Sequence, residues 1–268
     1  MRKVEFFVAN PAGNITIFVT SPVERSEYQE IAKRLLAMEE LGGEQVAFIK
    51  EGNRMEMCGL EFCGNASRSF ALWYAINRLK LEGDAKVTVD VSGAEHPIDV
   101  EINTKTNYTK IEMPKPKSVR NWREIGNDGT EGVLVDLGGI MHLVLWDVPA
   151  SAATFEEYKK AVCAKYDPPA MGVMFIEKET LSMVPVVYVR DVDTTYFEGS
   201  CGSGSVAAAV ALACNKPAGS YSFELSQPAG KIVASVSRGI ESPESAAVIE
   251  KVFIEGPVEL GSPAILNF

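Results

Sequence analysis

Two short stretches hold the residues best suited to chemistry. Glu61-Phe62-Cys63-Gly64-Asn65-Ala66-Ser67-Arg68 opens an apolar run over residues 70–76 with helical spacing, so Cys63 is expected at or just before a helix N-terminus. Unpaired backbone N–H groups and the positive end of the helix dipole favour a thiolate there, and they offer a carboxylate a place to bind. Gly199-Ser200-Cys201-Gly202-Ser203-Gly204-Ser205 repeats the arrangement 138 positions on (201 minus 63) and opens a small-residue helix over 206–213. Two Cys-Gly-[Asn/Ser]-[Ala/Gly]-Ser starts in one chain point to two thiols facing one anion. A thiolate on one side of a bound amino acid would remove the α-proton, and a thiol on the other side would return one, the roles swapping in reverse. Helix N-termini aimed at the α-carboxylate would stabilise the charge developing on it, in a cleft closed to water. A single Cys-Gly at a helix start is usually structural. The weight here comes from two in matching settings.

The elements that must position these cysteines alternate between strand and helix. Residues 4–8 and 15–19 read as a hairpin around Pro11-Ala12-Gly13-Asn14. A helix capped by Ser26 follows to about residue 38 with Ile31, Leu35 and Leu36 inward, and Gly42-Gly43 ends it. Strands are expected over 45–49 and 55–58, then the Cys63 helix, then a meander over 86–91, 98–102 and 108–113. Pro114-Lys115-Pro116-Lys117 is the best linker in the chain, and after it the theme restarts. Strands at 132–137 and 142–146, a helix at 155–164, strands at 173–176 and 184–189, the Cys201 helix, and strands at 221–225, 231–236 and 248–253 complete it. Ser92-Gly93-Ala94 and Gln227-Pro228-Ala229-Gly230 stand as similar turns at equivalent points. The expected fold is therefore α+β with two pseudo-symmetric halves, each a mixed or antiparallel sheet wrapped around a central helix, and one site in the cleft between them. The halves are expected at 1–117, carrying Cys63, and 118–259, carrying Cys201, with a C-terminal strand near 260–268 returning to the first.

Composition excludes several classes. With 268 residues, 46% hydrophobic, the chain can bury an ample core. A net charge of −10 without a basic cluster argues against nucleic acid or an anionic membrane as partner. The N-terminus lacks the apolar run of a signal peptide, and no stretch is long enough to span a bilayer. Five cysteines, an odd number scattered along the chain, do not form a secreted disulfide framework, so a cytoplasmic location is expected. Two histidines and no CxxC pair make a zinc site a poor reading, and no metal is expected. No G-x-G-x-x-G follows a strand and no P-loop is present, so no cofactor is signalled. The implied partner is a small-molecule amino acid, with room for a homodimer.

Asn10-Pro11-Ala12-Gly13-Asn14, Glu44-Gln45-Val46, Glu61-Phe62-Cys63-Gly64-Asn65-Ala66 and Ser200-Cys201-Gly202-Ser203-Gly204 resemble, in order and spacing along essentially the whole chain, the diaminopimelate epimerase fold family. That resemblance implies a cofactor-independent, two-cysteine racemase or epimerase. By carry-over Cys63 and Cys201 are its base and acid. Asn14 and Gln45 contact substrate, and the backbone following each cysteine, at Gly64 and Asn65 and at Gly202 and Ser203, holds the α-carboxylate. The departures bear on substrate. The family's Gly-Asn-Pro-His stretch reads Gly138-Gly139-Ile140-Met141-His142 here, and a second family Asn is replaced within residues 170–175. Its Glu-Arg step before the second cysteine reads Glu198-Gly199, so the Arg that would hold a distal carboxylate is missing. The set is similar to the staphylopine-type histidine racemase branch of this fold, in which Glu44 or Glu198 would accept an imidazole N–H.

For the remaining residues the plain readings weigh more. Cys58, Cys163 and Cys214 read as small core residues, with Cys58 a spectator near the site. His142 reads as a satisfied strand residue before a catalytic one, and Arg68 as a structural pair or cap. Asn14 and Asn65 are residue types that also serve turns, and Glu44 and Glu198 are types that usually face water. The rival functions are diaminopimelate epimerisation, racemisation of another amino acid, proton shift in an unsaturated acid, and simple amino-acid binding.

Overall fold

The computed structural model describes residues 3–124, 129–239 and 248–267. The chain forms two compact α+β units, one of Met1–Glu112 with Glu255–Phe268 and one of Met113–Ile254. In the first, strands Lys3–Asn10 and Thr16–Val19 form an antiparallel hairpin. Helix α1 (Tyr28–Leu36) crosses over to Gln45–Ile49, which lies parallel to Thr16–Val19. Arg54–Met57 pairs antiparallel to that strand, and helix α2 (Gly64–Tyr74) follows. Asp84–Val91 then runs parallel to Arg54–Met57 and continues as an antiparallel meander through Ile98–Asn103 and Tyr108–Met113.

The second unit repeats this order. Gly132–Asp136 and Met141–Trp146 form the hairpin, α3 (Ala152–Tyr166) the crossover, and Ala170–Glu177 the parallel partner of Met141–Trp146. Ser182–Val189 pairs antiparallel, α4 (Gly202–Ala213) follows, and Gly219–Gln227 touches Ser182–Val189 in parallel before pairing antiparallel with Gly230–Arg238. Hairpin, crossover helix, parallel strand, antiparallel strand, cysteine helix, meander: the order is the same twice. Back on the first unit, Glu259–Leu260 and Ala264–Asn267 pair with Lys3–Asn10. Phe268, the last residue of the expected returning strand, lies outside the described residues.

Side-chain pattern explains where each helix sits. α1 buries Tyr28, Ile31, Ala32 and Leu35, the i, i+3, i+4, i+7 stripe of a helix lying on a sheet. α4 is apolar or small on every side and buries nine residues, as a helix enclosed by strands must. α2 is enclosed as well, although Asn65, Ser67, Arg68 and Ser69 are polar, and those buried groups need partners. Around the two central helices, α2 packs on Lys3–Asn10, Asp84–Val91 and Ile98–Asn103, and α4 on Met141–Trp146, Gly219–Gln227 and Gly230–Arg238.

Several local expectations are corrected. Ser26 is not the cap of α1; it lies in a 3-10 turn (Arg25–Glu27), where Glu24 and Glu27 form a reciprocal capping box. α1 ends at Leu36, which is 40% exposed rather than inward, because it follows the apolar stripe by one residue. Strands Ser118–Asn121 and Thr194–Phe197 were not anticipated; most of their residues are exposed, so they lack an apolar alternation to read. Among the described residues, no helix is long and apolar enough to cross a membrane.

Candidate active site

In the first unit Cys63 is the N-cap of α2, with extended backbone (φ −130°, ψ 110°). Its sulfur accepts from the Ala66 N–H at 3.5 Å, and its carbonyl from the Ser67 N–H at 2.9 Å and Ser67 Oγ at 2.7 Å. Gln45 Nε2 donates to the same sulfur at 3.3 Å, to Thr16 Oγ1 at 2.8 Å and to Asn14 Oδ1 at 2.9 Å. Asn14 Nδ2 in turn donates to Glu44 Oε2 at 2.7 Å, and Asn65 Nδ2 to Asn14 Oδ1 at 3.3 Å. Cys63, Gln45, Asn14, Asn65 and Glu44 thus form one polar chain, built from the hairpin turn, the strand after α1 and the start of α2. The approach loop is held from behind by Ser92, whose hydroxyl donates to the Glu61 carbonyl at 2.9 Å and accepts from the Met57 N–H at 2.8 Å. Gly93 must be glycine: its φ is +74°, and a Cβ would sit 2.1 Å from the Phe62 nitrogen. A groove of about 590 Å³ beside α1, lined in part by Gln45, Cys58 and Glu61, reaches this network.

In the second unit Cys201 is the N-cap of α4 with nearly the same backbone (φ −129°, ψ 114°). Its sulfur accepts from the Gly204 N–H at 3.3 Å, and its carbonyl from the Ser205 N–H at 2.9 Å and Ser205 Oγ at 2.6 Å. Gln227, on the turn equivalent to Ser92-Gly93-Ala94, accepts from the Cys201 N–H at 2.8 Å and donates to Ser205 Oγ at 3.0 Å. Ala229, two positions on in the same turn, donates its N–H to the Gly199 carbonyl at 2.9 Å. Both turns therefore brace the loop that leads into their cysteine. Ser203 Oγ lies 3.5 Å from Cys201 Sγ and 2.9 Å from His142 Nε2. Glu198 hydrogen-bonds to the Cys201 thiol.

The two thiols do not behave as the helix-dipole argument predicts. Burial pushes the Cys63 thiol up from its ordinary value, and the hydrogen bonds from Ala66, Gln45 and Asn65 only partly offset this. Cys201 is pushed well above its ordinary value, by burial first and then by the Glu198 carboxylate. Burial outweighs the hydrogen bonds that favour the thiolate at both sites, and more so at Cys201, which is buried, than at Cys63, which is half-buried. His142 is fully buried and pulled down to about 3 by desolvation, so it stays neutral, with Nδ1 lacking a hydrogen-bond partner. Partial burial raises the Glu44 carboxyl, and the Asn14 bond opposes the shift.

Thr16, Ser92, Gln227 and the hydrogen bond between His142 and Ser203 were missed or undervalued in the sequence. Each matters through a contact at least 26 positions away in the chain, and only Thr16, a buried hydroxyl on an otherwise apolar strand, left a local signal. Among the described residues Arg68 is not paired with an acid: its hydrogen bonds go to Asn65, Thr109 and the carbonyls of Gly256 and Pro257.

A duplicated α+β chain with a central helix in each half has the fold of the PhzF and proline racemase-like proteins. A Bacillus anthracis phenazine biosynthesis protein of the PhzF family superposes with a TM-score of 0.70, covering 100% of both chains at 14% identity, a likeness of fold. Over residues 3–262 the chain matches the model described as "Histidine racemase CntK N-terminal domain", and it belongs to that family. A histidine racemase of Fusobacterium nucleatum subsp. nucleatum is 31% identical over 268 residues, spanning 97% of this chain and 95% of its own. One from Staphylococcus aureus is 27% identical over 251 residues, spanning 88% and 90%. The protein is accordingly an isomerase, as the motif resemblance implied.

Proposed function

We propose that this protein racemises histidine by a two-cysteine proton transfer at the α-carbon, without a cofactor. The observation that carries the reading is the pair of cysteine caps with nearly equal backbone angles, Cys63 and Cys201, one in each compact unit. One sulfur, as thiolate, takes the α-proton, and the electron pair passes into the carboxylate. The other, as thiol, gives its proton to the opposite face, and turnover leaves the protonation states exchanged. The α-carboxylate binds the first amides of the two helices, at Gly64 and Asn65 and at Gly202 and Ser203, which have no intrahelical acceptor. Asn14 and Gln45 orient the substrate from the network that already holds Cys63. Glu198 lies against the Cys201 thiol, whereas Glu44 is held by Asn14 at the solvent edge and is the carboxylate offered to the imidazole N–H. A distal carboxylate such as that of diaminopimelate would meet these acids and no cation in the Glu198-Gly199 step, which disfavours it. The five cysteines are all free, which suits the cytoplasm.

The test is L-histidine in deuterated water, with enantiomers separated and weighed early in the reaction. D-Histidine should carry deuterium while the remaining L-histidine stays protiated, and Cys63→Ala and Cys201→Ala should each abolish racemisation. Deuterium in the recovered L-histidine, a single mutant that still racemises well, or faster turnover of diaminopimelate than of histidine would refute the reading.

A further inference from the structure

The two cysteine helices share the pattern Cys-Gly-x-x-Ser over their first turn, with small or polar residues between, and then diverge in charge. Counting from each cysteine, Asn65 aligns with Ser203, Ala66 with Gly204, Ser67 with Ser205 and Arg68 with Val206. Arg68 is 0% exposed and Val206 is 1% exposed, so the fifth position is a buried cation in one unit and an apolar filler in the other. The cation is poorly placed for stability. It is fully buried in α2, and among the described residues no acid pairs with it, so its burial is costly.

Its bonds do not neutralise it. Arg68 Nε donates to Asn65 Oδ1 at 3.1 Å, and Nη1 to the Gly256 carbonyl at 2.9 Å, to Thr109 Oγ1 at 3.2 Å and to the Pro257 carbonyl at 3.4 Å. All four acceptors are neutral, and the buried Nη2 has no partner among the described residues. Burial pulls the guanidinium down to about 10, which still leaves it charged at neutral pH, and the first group that favours its charge is Cys63, followed by Tyr108. Through Asn65 the guanidinium joins the chain Asn65–Asn14–Gln45 that ends on the Cys63 sulfur.

We infer that Arg68 is a positioning residue whose buried charge serves as the counter-ion of a Cys63 thiolate, so that Cys63 ionises first and is the base awaiting substrate, while Cys201 waits as the acid. The second unit is arranged the opposite way: it has Val206 where the first has Arg68, and Glu198 beside the thiol. The charged groups that bear on Cys63 within its own unit are Glu61, which disfavours the thiolate, Arg68, whose own charge a Cys63 thiolate favours, and Glu44 at one remove through Asn14. The catalytic meaning of this order rests on the two-cysteine racemase reading; the order itself does not.

The experiment measures the pH dependence of iodoacetamide labelling at each cysteine, by peptide mapping of the substrate-free protein. Midpoints are compared rather than rates, because Cys201 is the less exposed thiol. In the wild-type protein the Cys63 midpoint should lie below that of Cys201. In Arg68→Met it should rise by about one unit, an approximately tenfold loss of labelling near pH 8, with Cys201 unmoved and Arg68→Lys recovering most of the effect. A purely structural Arg68 would lower the melting temperature of Arg68→Met and leave the Cys63 midpoint where it was, and that result would overturn the inference. So would a wild-type Cys201 midpoint at or below that of Cys63, which needs no variant to fold. Labelling in the expected order by a protein that fails to racemise histidine would support the charge assignment while removing the racemase reading; racemisation with the order inverted would do the reverse.

Discussion

His142 offers the sharpest test of how burial has set the second half of the site. The imidazole is 0% exposed and desolvation pulls it down to about 3, whereas in the unfolded chain it titrates near its ordinary 6.5. Between those values the unfolded state binds a proton at this residue that the folded state refuses. Stability therefore rises with pH across the window and is lost as pH falls below about 6.5. Each unit is worth about 1.4 kcal/mol, so at pH 5 the folded protein should be about 2 kcal/mol less stable on this account alone than at neutral pH. The perturbation is His142→Gln, which keeps a donor for Ser203 and does not titrate. Urea unfolding of both proteins from pH 7.5 to pH 5 isolates the effect, since every other group cancels in the difference. The stability gap should move by about 2 kcal/mol in favour of the variant as the pH falls. A gap independent of pH would mean that His142 accepts its proton in the folded state, and the neutral His142–Ser203 contact beside Cys201 would have to be abandoned.

Glu56 should act in a lower window and with the opposite chemistry. It is 2% exposed and receives hydrogen bonds from Arg25 Nε, Tyr28 Oη and Arg54 Nε, which hold its carboxyl down at about 2. Its contribution is present above about pH 4.5 and disappears as pH falls towards 2; Glu56→Gln should cost about 2 kcal/mol at neutral pH, a figure discounted because Arg25 and Arg54 are solvent-exposed, and the loss should shrink in acid. An equal cost at pH 7 and pH 3 in chemical denaturation would contradict this. Gly93→Ala should destabilise by about 1–3 kcal/mol and suppress racemisation as well, because its φ of +74° and the contact with the Phe62 backbone leave no rotamer that relieves the strain; wild-type melting and turnover would show that the loop before Cys63 has no need of that turn.

What the sequence made legible was whatever is local. A cysteine followed by Gly-x-x-Ser at the mouth of an apolar run specifies an N-cap through contacts within four residues, and both caps formed as expected. The duplication was legible too, because the order of strands and helices survives even where residues do not, and the two turns at Ser92–Ala94 and Gln227–Gly230 brace equivalent loops. Ionisation was not legible. The helix-start rule predicts thiolates, but burial decides the outcome, and burial is a property of the strands that enclose α2 and α4. Exposed strands such as Thr194–Phe197 escaped for the converse reason: with little buried, they carry no apolar rhythm.

Arg68 stands between these cases. Its difference from Val206 is visible as soon as the two motifs are aligned, yet on an exposed helix it would be an ordinary solvated charge. Only its full burial, next to neutral acceptors and without an acid, makes it a cation in need of an anion. The same Cys-Gly-x-x-Ser pattern thus builds two nearly identical backbone corners, and a single residue one turn further in makes the two sulfurs unequal. A proton transfer that runs from one thiol to the other requires such an inequality before substrate arrives, because one partner must start charged and the other neutral.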